Sequence, residues 1–376
     1  MGRTTMRQFG LYALVLFGLV CAATAHGQST DDPLHSSDQT PKLRIGDAYP
    51  LFSVEKFLKG DPITKLNTGH VYVIEFWATW CGPCIQQFAH LSELQAEYKD
   101  KDTTIISINV REMRQVEGGW MPSFDQETQS KVASFVAKQG DRMDFAVAYD
   151  GEKKNMDTNW LHASGDASIP KVFVIDRTGT VAWIGHPMVL RMPLDKIASD
   201  TWDSTIDPDR VKQAEEAFIS AMRMFPNDLE SGLTAWDTAQ RDYPILAKDL
   251  LFPKFQSLLT AGQCEPAMIT AQELTKEATR AKDSNTLNTI AWSIVSQDMK
   301  LTPEQLNIAL LAAKEACKLE ANKEPLSLNT LARVFFLQGD INEAIKAQVQ
   351  AVEHAESEVQ RARLVQALNE YQHAKK

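Results

Sequence analysis

Cys81-Gly82-Pro83-Cys84 places two thiols two residues apart. The stretch before them, Val71-Tyr72-Val73-Ile74-Glu75-Phe76-Trp77-Ala78-Thr79-Trp80, is mostly apolar, as in a buried strand, and Ile85-Gln86-Gln87-Phe88 opens an amphipathic helix. A helix N-terminus supplies unpaired N–H groups and positive dipole potential, which stabilise a thiolate on the first cysteine. Cys81 is therefore expected to be the nucleophile that attacks a disulfide, and Cys84, one turn inside, to resolve the mixed disulfide and close a Cys81–Cys84 bond. Pro83 lacks a backbone N–H and fixes φ, which suits the first helical turn. The competing use of Cys-x-x-Cys is half a zinc site, but zinc takes four ligands. Cys264 and Cys317 are far away in sequence and no His pair of ligand spacing lies near them, so no metal and no cofactor are expected.

Three further features carry chemistry. Glu75 interrupts the apolar strand, with Val71, Val73 and Trp77 on its own face and Ile74, Phe76 and Ala78 on the other. A strand covered on both faces would bury this carboxyl and raise its pKa by desolvation; the alternatives are a solvated edge position or a carboxylate satisfied by hydrogen bonds. Ile169-Pro170 stands just before another apolar run, where the bond is either cis or an ordinary trans turn. The segment Arg111–Phe124 follows the strand Thr104–Val110, and loops after parallel strands emerge at one sheet edge. It should therefore lie beside Cys81, with Trp120 and Met121 either flanking a substrate groove or packed within their own loop. His162 and His186 are read as structural.

These residues need a frame. From Lys42 to about Asp200 strands alternate with helices: strands Val71–Ala78, Thr104–Val110, Phe145–Tyr149, Lys171–Asp176 and Val181–Gly185, and helices Ile85–Tyr98 and about Asp125–Gln139. Arg177-Thr178-Gly179-Thr180 reads as a hairpin turn, so the sheet is α/β with one antiparallel pair. After Trp202 helical periodicity is almost continuous, and Asp207-Pro208-Asp209 reads as a linker and helix start. Leu328, Leu331, Ala332, Phe335, Gly339, Asp340, Ala344 and Ala351 fall at tetratricopeptide spacings. Ile290-Ala291-Trp292, Ile294, Ala309 and Ala316 suggest an earlier unit, and a generic helical bundle is the alternative. Cys264 and Cys317 either pair within these helices or stay separate thiols.

The 376-residue length predicts at least two domains, and 23% charged with 44% hydrophobic residues is ordinary for a folded soluble protein. A net charge of −10 without a basic stripe disfavours nucleic acid as a partner. Arg3 and Arg7 precede an apolar run from Phe9 to Ala23, then Ala23-Thr24-Ala25, a small-x-small cleavage signature. The run is short for a span of about 18 or more apolar residues. Residues 1–25 therefore read as a signal peptide, and 26–42 as a flexible linker. An α/β domain is assigned to 43–202 and a helical domain to 205–376. Export to the periplasm or another extracytoplasmic space follows, where disulfides persist. Lipidation of Cys21 is the alternative, disfavoured by the bulky Val20 before it.

Glu75-Phe76-Trp77-Ala78-Thr79-Trp80-Cys81-Gly82-Pro83-Cys84 resembles the active-site segment of thioredoxin-like proteins, particularly the exported TlpA/ResA-like group of the redoxin superfamily. Ile45-Gly46-Asp47-Ala48-Tyr49-Pro50 resembles that group's entry segment, Ser168-Ile169-Pro170 its cis-proline loop, and Trp183-Ile184-Gly185-His186-Pro187 the last strand of a subgroup with a helical extension. The resemblance spans Lys42–Asp200. It implies a thioredoxin-like fold followed by an all-α, tetratricopeptide-like domain, with Glu75 as the buried acid that handles the Cys84 proton. It also implies that the Ile169 backbone before Pro170 pairs with substrate. Trp80, next to Cys81, is placed with Ile169, Pro170 and Trp120 in substrate binding. Lys171 stands where the family commonly has threonine; it either lowers the Cys81 pKa or points to solvent.

The expected activity is thiol–disulfide exchange on disulfide-containing or dithiol proteins. Gly-Pro between the cysteines and Ile before the proline resemble the reducing members, and a reductase outside the cytosol needs an electron donor, expected to be a membrane dithiol protein. A peptide or protein partner is expected on the helical domain. A peroxiredoxin-type peroxidase is one rival, although Ala78 stands three residues before Cys81 where that family has threonine. An interaction scaffold with accessory redox activity is the other.

Overall fold

The computed structural model describes residues 43–116, 118–297 and 300–375. Residues 1–42, read above as a signal peptide and a flexible linker, lie outside the described residues. A six-stranded sheet is built from β1 (Lys56–Lys59), β2 (Val71–Trp77), β3 (Thr103–Asn109), β6 (Ala146–Tyr149), β7 (Lys171–Ile175) and β8 (Val181–Gly185). A separate hairpin holds β4 (Met113–Val116) and β5 (Gly119–Pro122). The sheet order is β1-β6-β3-β2-β7-β8, with β2, β3 and β6 parallel and β1, β7 and β8 antiparallel to their neighbours. All five strands read from the sequence are present within a residue or so of their expected ends. Two features of the sheet layer escape a reading by pattern. β1 is a four-residue edge strand with a lysine at each end, a device that protects edges and hides the apolar signal. The Arg111–Phe124 segment is a β-hairpin rather than a plain loop; Gly118 (φ 93) turns it, and Arg114 and Gln115 break any apolar alternation.

Both faces of β2 are covered, and all seven of its residues are buried. Val71, Val73 and Trp77 pack with Cys84, Phe88, Leu91 and Leu94 of α1 (Gly82–Tyr98) and with Val132 and Val136 of α2 (Gln126–Gln139). Tyr72, Ile74 and Phe76 pack on the opposite face with Phe52, Leu66, Met156 and Trp160. Phe88 seats α1 on the strand: its ring meets Trp77 edge-on at 5.1 Å and lies 6.5 Å from both Phe135 and Phe145.

After β8 come α3 (Arg191–Ala198), α4 (Asp207–Met224), α5 (Leu229–Asp242), α6 (Leu251–Thr260), α7 (Cys264–Ala281), α8 (Ser284–Val295), α9 (Pro303–Leu319), α10 (Pro325–Gln338), α11 (Ile341–Glu353) and α12 (Glu358–Ala374). Helices pack in consecutive pairs, α4 with α5, α6 with α7, α8 with α9 and α10 with α11. Leu328, Ala332, Ala344 and Ala351 are buried between α10 and its neighbours, and Gly339 (φ 87) turns α10 into α11. The apolar core that begins under β2 continues without a break through Val211, Phe218, Trp236 and Leu258 to Val334. Cys317 is buried with a free thiol, so it does not pair with Cys264. No helix among the described residues is long and apolar enough to cross a membrane.

Removing the ring that anchors α1 tests this packing. Phe88→Ala is expected to cost about 3–5 kcal/mol, read from the denaturant midpoint at unchanged m-value. A loss below about 1 kcal/mol would mean that α1 is held elsewhere.

Candidate redox site

Cys81 and Cys84 form a disulfide at the start of α1. Cys81 is the N-cap residue, and its sulfur accepts the Cys84 N–H at 3.3 Å. Pro83 stands in the first turn, where no N–H is needed. Both sulfur-bearing residues are nearly enclosed: Cys81 is 4% exposed and Cys84 0%. Cys81 is thus the outer of the two, by a narrow margin.

The strand ends bring the other candidates to the same edge. β2 runs parallel to β3 with Trp77 opposite Asn109, so Arg111 leaves the sheet beside the turn that carries Cys81. β7 is antiparallel with Lys171 opposite Phe76, so the residue before it, Pro170, stands at the same edge. The Ile169-Pro170 bond is cis. Ile169 packs against the cluster that contains Cys81 and Cys84. Trp80 is 53% exposed next to Cys81, and its indole N–H donates to the Arg111 carbonyl at 2.8 Å. Trp120 and Met121, 64% and 50% exposed, project from the β4–β5 hairpin, so they are not packed within a loop of their own.

Glu75 is fully buried on the face of β2 that carries α1, between Val73 and Trp77. Its Oε2 accepts the Ser107 hydroxyl, and its Oε1 has no partner among the described residues. Desolvation pushes its pKa up to about 8, the Ser107 bond only partly opposing the rise. A carboxyl in this state takes up and releases a proton near neutral pH, as a general base must.

Two residues that sequence reasoning passed over frame the site. Glu112 is buried and accepts the Thr79 N–H at 2.7 Å, the Thr79 hydroxyl at 2.5 Å and the Asn109 side-chain N–H at 2.7 Å, which fixes the turn leading into Trp80 and Cys81. Arg111 adopts φ 56 and donates its Nε–H to both Asp157 oxygens (2.9 and 3.0 Å), one Nη–H to Asp157 (2.5 Å) and the other to the Ala167 carbonyl (2.5 Å). Through its own carbonyl it holds Trp80; through its guanidinium it holds the loop that ends at Pro170. Their position just after a parallel strand was the one available signal.

One expectation changes. Lys171 neither faces Cys81 nor points to solvent. It is buried on the face of the sheet opposite Glu75, with its ammonium bonded to the Asp166 carboxylate and carbonyl, both at 2.5 Å. His186 caps a short helical turn by accepting the Met188 N–H at 3.1 Å, and burial pushes its pKa down to about 4. His162 is exposed beside Arg111.

The chain matches the Redoxin family model over residues 45–190. It is 30% identical over 160 residues to Protein FixW of Rhizobium leguminosarum, covering 43% of this chain and 68% of that protein. It is 31% identical over 141 residues to the thiol-disulfide oxidoreductase ResA of Bacillus thuringiensis, covering 37% and 68%. The crystal structure of StoA from Bacillus subtilis is similar at 17% identity, covering 36% of this chain and 90% of that one with a TM-score of 0.28. The protein belongs to the Redoxin family: its α/β half is a thioredoxin-like fold, and it is an oxidoreductase of the thiol–disulfide type.

The buried acid makes stability depend on pH. The folded pKa of Glu75 lies above its unfolded value, so the favourable contribution is complete below about pH 4.5 and is lost as pH rises through about 8. Oxidised Glu75→Gln is expected to be more stable than the parent at pH 8, by several kcal/mol, and to have a flatter stability profile between pH 5 and 8. Chemical denaturation at each pH checks this; a parent-like slope in the variant would assign the dependence to another group.

Proposed function

We propose that the protein is exported and reduces disulfide bonds in other proteins through Cys81 and Cys84. The observation that carries this reading is a Cys81–Cys84 disulfide capping α1, on the sheet face that also buries an ionisable Glu75. Exposed Trp80, Trp120 and Met121 at the same edge of the molecule support a protein-sized substrate. The apolar run ending in Ala23-Thr24-Ala25 supports export.

In the reduced enzyme the Cys81 thiolate attacks one sulfur of the substrate disulfide. A Cys81–substrate bond forms, the substrate S–S bond breaks, and the departing thiolate takes up a proton. Ionised Glu75 then accepts the Cys84 proton, and the Cys84 sulfur attacks Cys81. The mixed disulfide breaks, the second substrate sulfur leaves and is protonated, and the Cys81–Cys84 bond closes. Two electrons pass from the enzyme dithiol to the substrate. The backbone of Ile169, before the cis proline, pairs with the substrate chain and aligns its sulfurs. A membrane dithiol protein is the proposed donor that reduces Cys81–Cys84 again. The helix pairs from residue 205 onward, read as tetratricopeptide-like, are the proposed seat of a peptide or protein partner.

Cys84→Ser is expected to accumulate mixed disulfides on Cys81 in the exporting cell, and Cys81→Ser none; equal capture by both would remove the assignment of attacker and resolver. Glu75→Gln is expected to slow resolution at least tenfold at pH 7, about 1.4 kcal/mol of barrier, and to abolish the rise of that step with pH. Unchanged resolution from pH 5 to 8 would exclude Glu75 as the base. Trp120→Ala should raise KM for an oxidised protein substrate several-fold while kcat stays within about twofold; an unaltered KM would free the hairpin from substrate binding.

A further inference from the structure

One buried cation joins the helical half of the chain to the first turn of the active-site helix. Arg142 lies in the short helical turn Gly140–Met143, with its side chain 12% exposed. One Nη–H donates to the Ile85 carbonyl at 2.9 Å, the other Nη–H to Gln139 Oε1 at 2.6 Å, and Nε–H to Asp283 at 3.0 Å. The turn is latched further along α1, where the Ser92 hydroxyl donates to the Arg142 carbonyl and accepts the Asp144 N–H, each at 2.8 Å. Ile85 directly follows Cys84, and its N–H donates to the Cys81 carbonyl at 3.1 Å. Contact is therefore continuous from Asp283 through Arg142 and Ile85 to Cys81.

Asp283 belongs to the helical half. It is the N-cap of α8, accepting the Thr286 N–H at 3.1 Å and the Thr286 hydroxyl at 2.5 Å, and its side chain is 7% exposed. Burial disfavours the Arg142 charge, and Asp283 and then Glu320 act against that penalty. Glu320 is the C-cap residue of α9, so the second acid also comes from the helices. A guanidinium stays charged even here. A positive charge at the first turn adds to the helix dipole in favouring a thiolate at the N-cap.

We propose that Arg142, held by Asp283, is a positioning residue that fixes the first turn of α1 and sets the electrostatic potential at Cys81, so that the helical half tunes the reactivity of the redox pair. This rests on the reading of Cys81 as the attacking thiol. Neither residue touches substrate. Their opposite charges give the proposal a signature that loosened packing does not share. Arg142→Gln removes the cation, whereas Asp283→Asn keeps a cap acceptor for Thr286 and leaves the cation uncancelled.

The test is alkylation of the reduced full-length protein as a function of pH, followed at Cys81 by peptide mass spectrometry. Arg142→Gln is expected to raise the Cys81 pKa by roughly half a unit or more, and Asp283→Asn to lower it. Arg142→Lys, which keeps the charge but not the fork, should recover most of the shift. Should Arg142→Gln fail to fold, Asp283→Asn alone decides, since it must still move the value downward. Shifts in the same direction in both variants, or none in either, would overturn the proposal. Preferential alkylation of Cys84 in the unsubstituted protein is a different result, and it would overturn the attacking-thiol reading itself.

Discussion

Strand β2 is enclosed on both faces and between two partner strands, and the rest of the site depends on that enclosure. Its odd-numbered residues face α1 and its even-numbered residues face the opposite layer. A slip of one residue would exchange Glu75 with Ile74 or Phe76 and move a carboxyl to the wrong side of the sheet. The pairing of Glu75 with Ser107 on β3 and Val172 on β7 therefore does more than complete a ladder. It keeps the acid on the layer that carries Cys84 and supplies the hydroxyl that satisfies one of its oxygens. Enclosure also sets the proton affinity of Glu75, because desolvation is the largest influence on it.

Around this strand a polar frame holds the edge where the cysteines emerge. Arg111 accepts a left-handed backbone conformation, a cost of order 1 kcal/mol for a residue with a Cβ. In return its guanidinium bridges Asp157 and the Ala167 carbonyl, and charge-assisted bonds of this geometry offset such a cost. Asp157 is in turn ordered by Asp150, which accepts the N–H groups of Met156 and Asp157 at 2.9 and 3.0 Å. Burial lifts the Asp150 pKa to about 6, those two bonds opposing the rise. The segments entering and leaving Cys81, Arg111 and Pro170 are thus linked by side chains rather than by sheet bonds alone. Trp80 stays exposed but has its ring nitrogen tied down.

Much of this was legible in the residue pattern, for a physical reason. Short-range signals record themselves in sequence: a two-cysteine turn between an apolar strand and an amphipathic helix, a charged residue inside that strand, a proline before an apolar run. The five main strands and both early helices follow from the same local periodicity. What stayed hidden depends on partners distant in the chain. Arg111 acquires meaning only from Asp157 and Ala167, 46 and 56 residues on, and Arg142 only from Asp283, 141 residues on. Lys171 looked available to the thiols because the sequence does not reveal which face of β7 it takes. The β4–β5 hairpin escaped because its strands are four residues long and largely exposed, so no core imposes an alternating pattern on them.

The distant partners share one target, and that bears on how exchange proceeds. Arg142, paired with Asp283, meets α1 at its first turn, while the later turns of α1 meet a second ionic cluster. There Arg191 pairs with Glu97, with Glu93 at 3.5 Å and with Asp249 at 2.9 Å, and Lys248 reaches Glu93 at 2.6 Å. His90 lies 3.5 Å from Asp249, with its pKa pulled down by burial and Asp249 opposing. The Arg191–Asp249 pair is buried, and such a pair adds little net stability over apolar packing but penalises any arrangement that separates the charges. A helix held so at both ends has little freedom to shift when its N-terminal disulfide opens. In the proposed mechanism the change in charge on reduction then falls on groups already in place, the helix N–H groups and Arg142. Preorganised dipoles and charges stabilise a developing thiolate without the reorganisation that water would require. In the proposed mechanism the helical half thus acts on the chemistry by keeping α1 still.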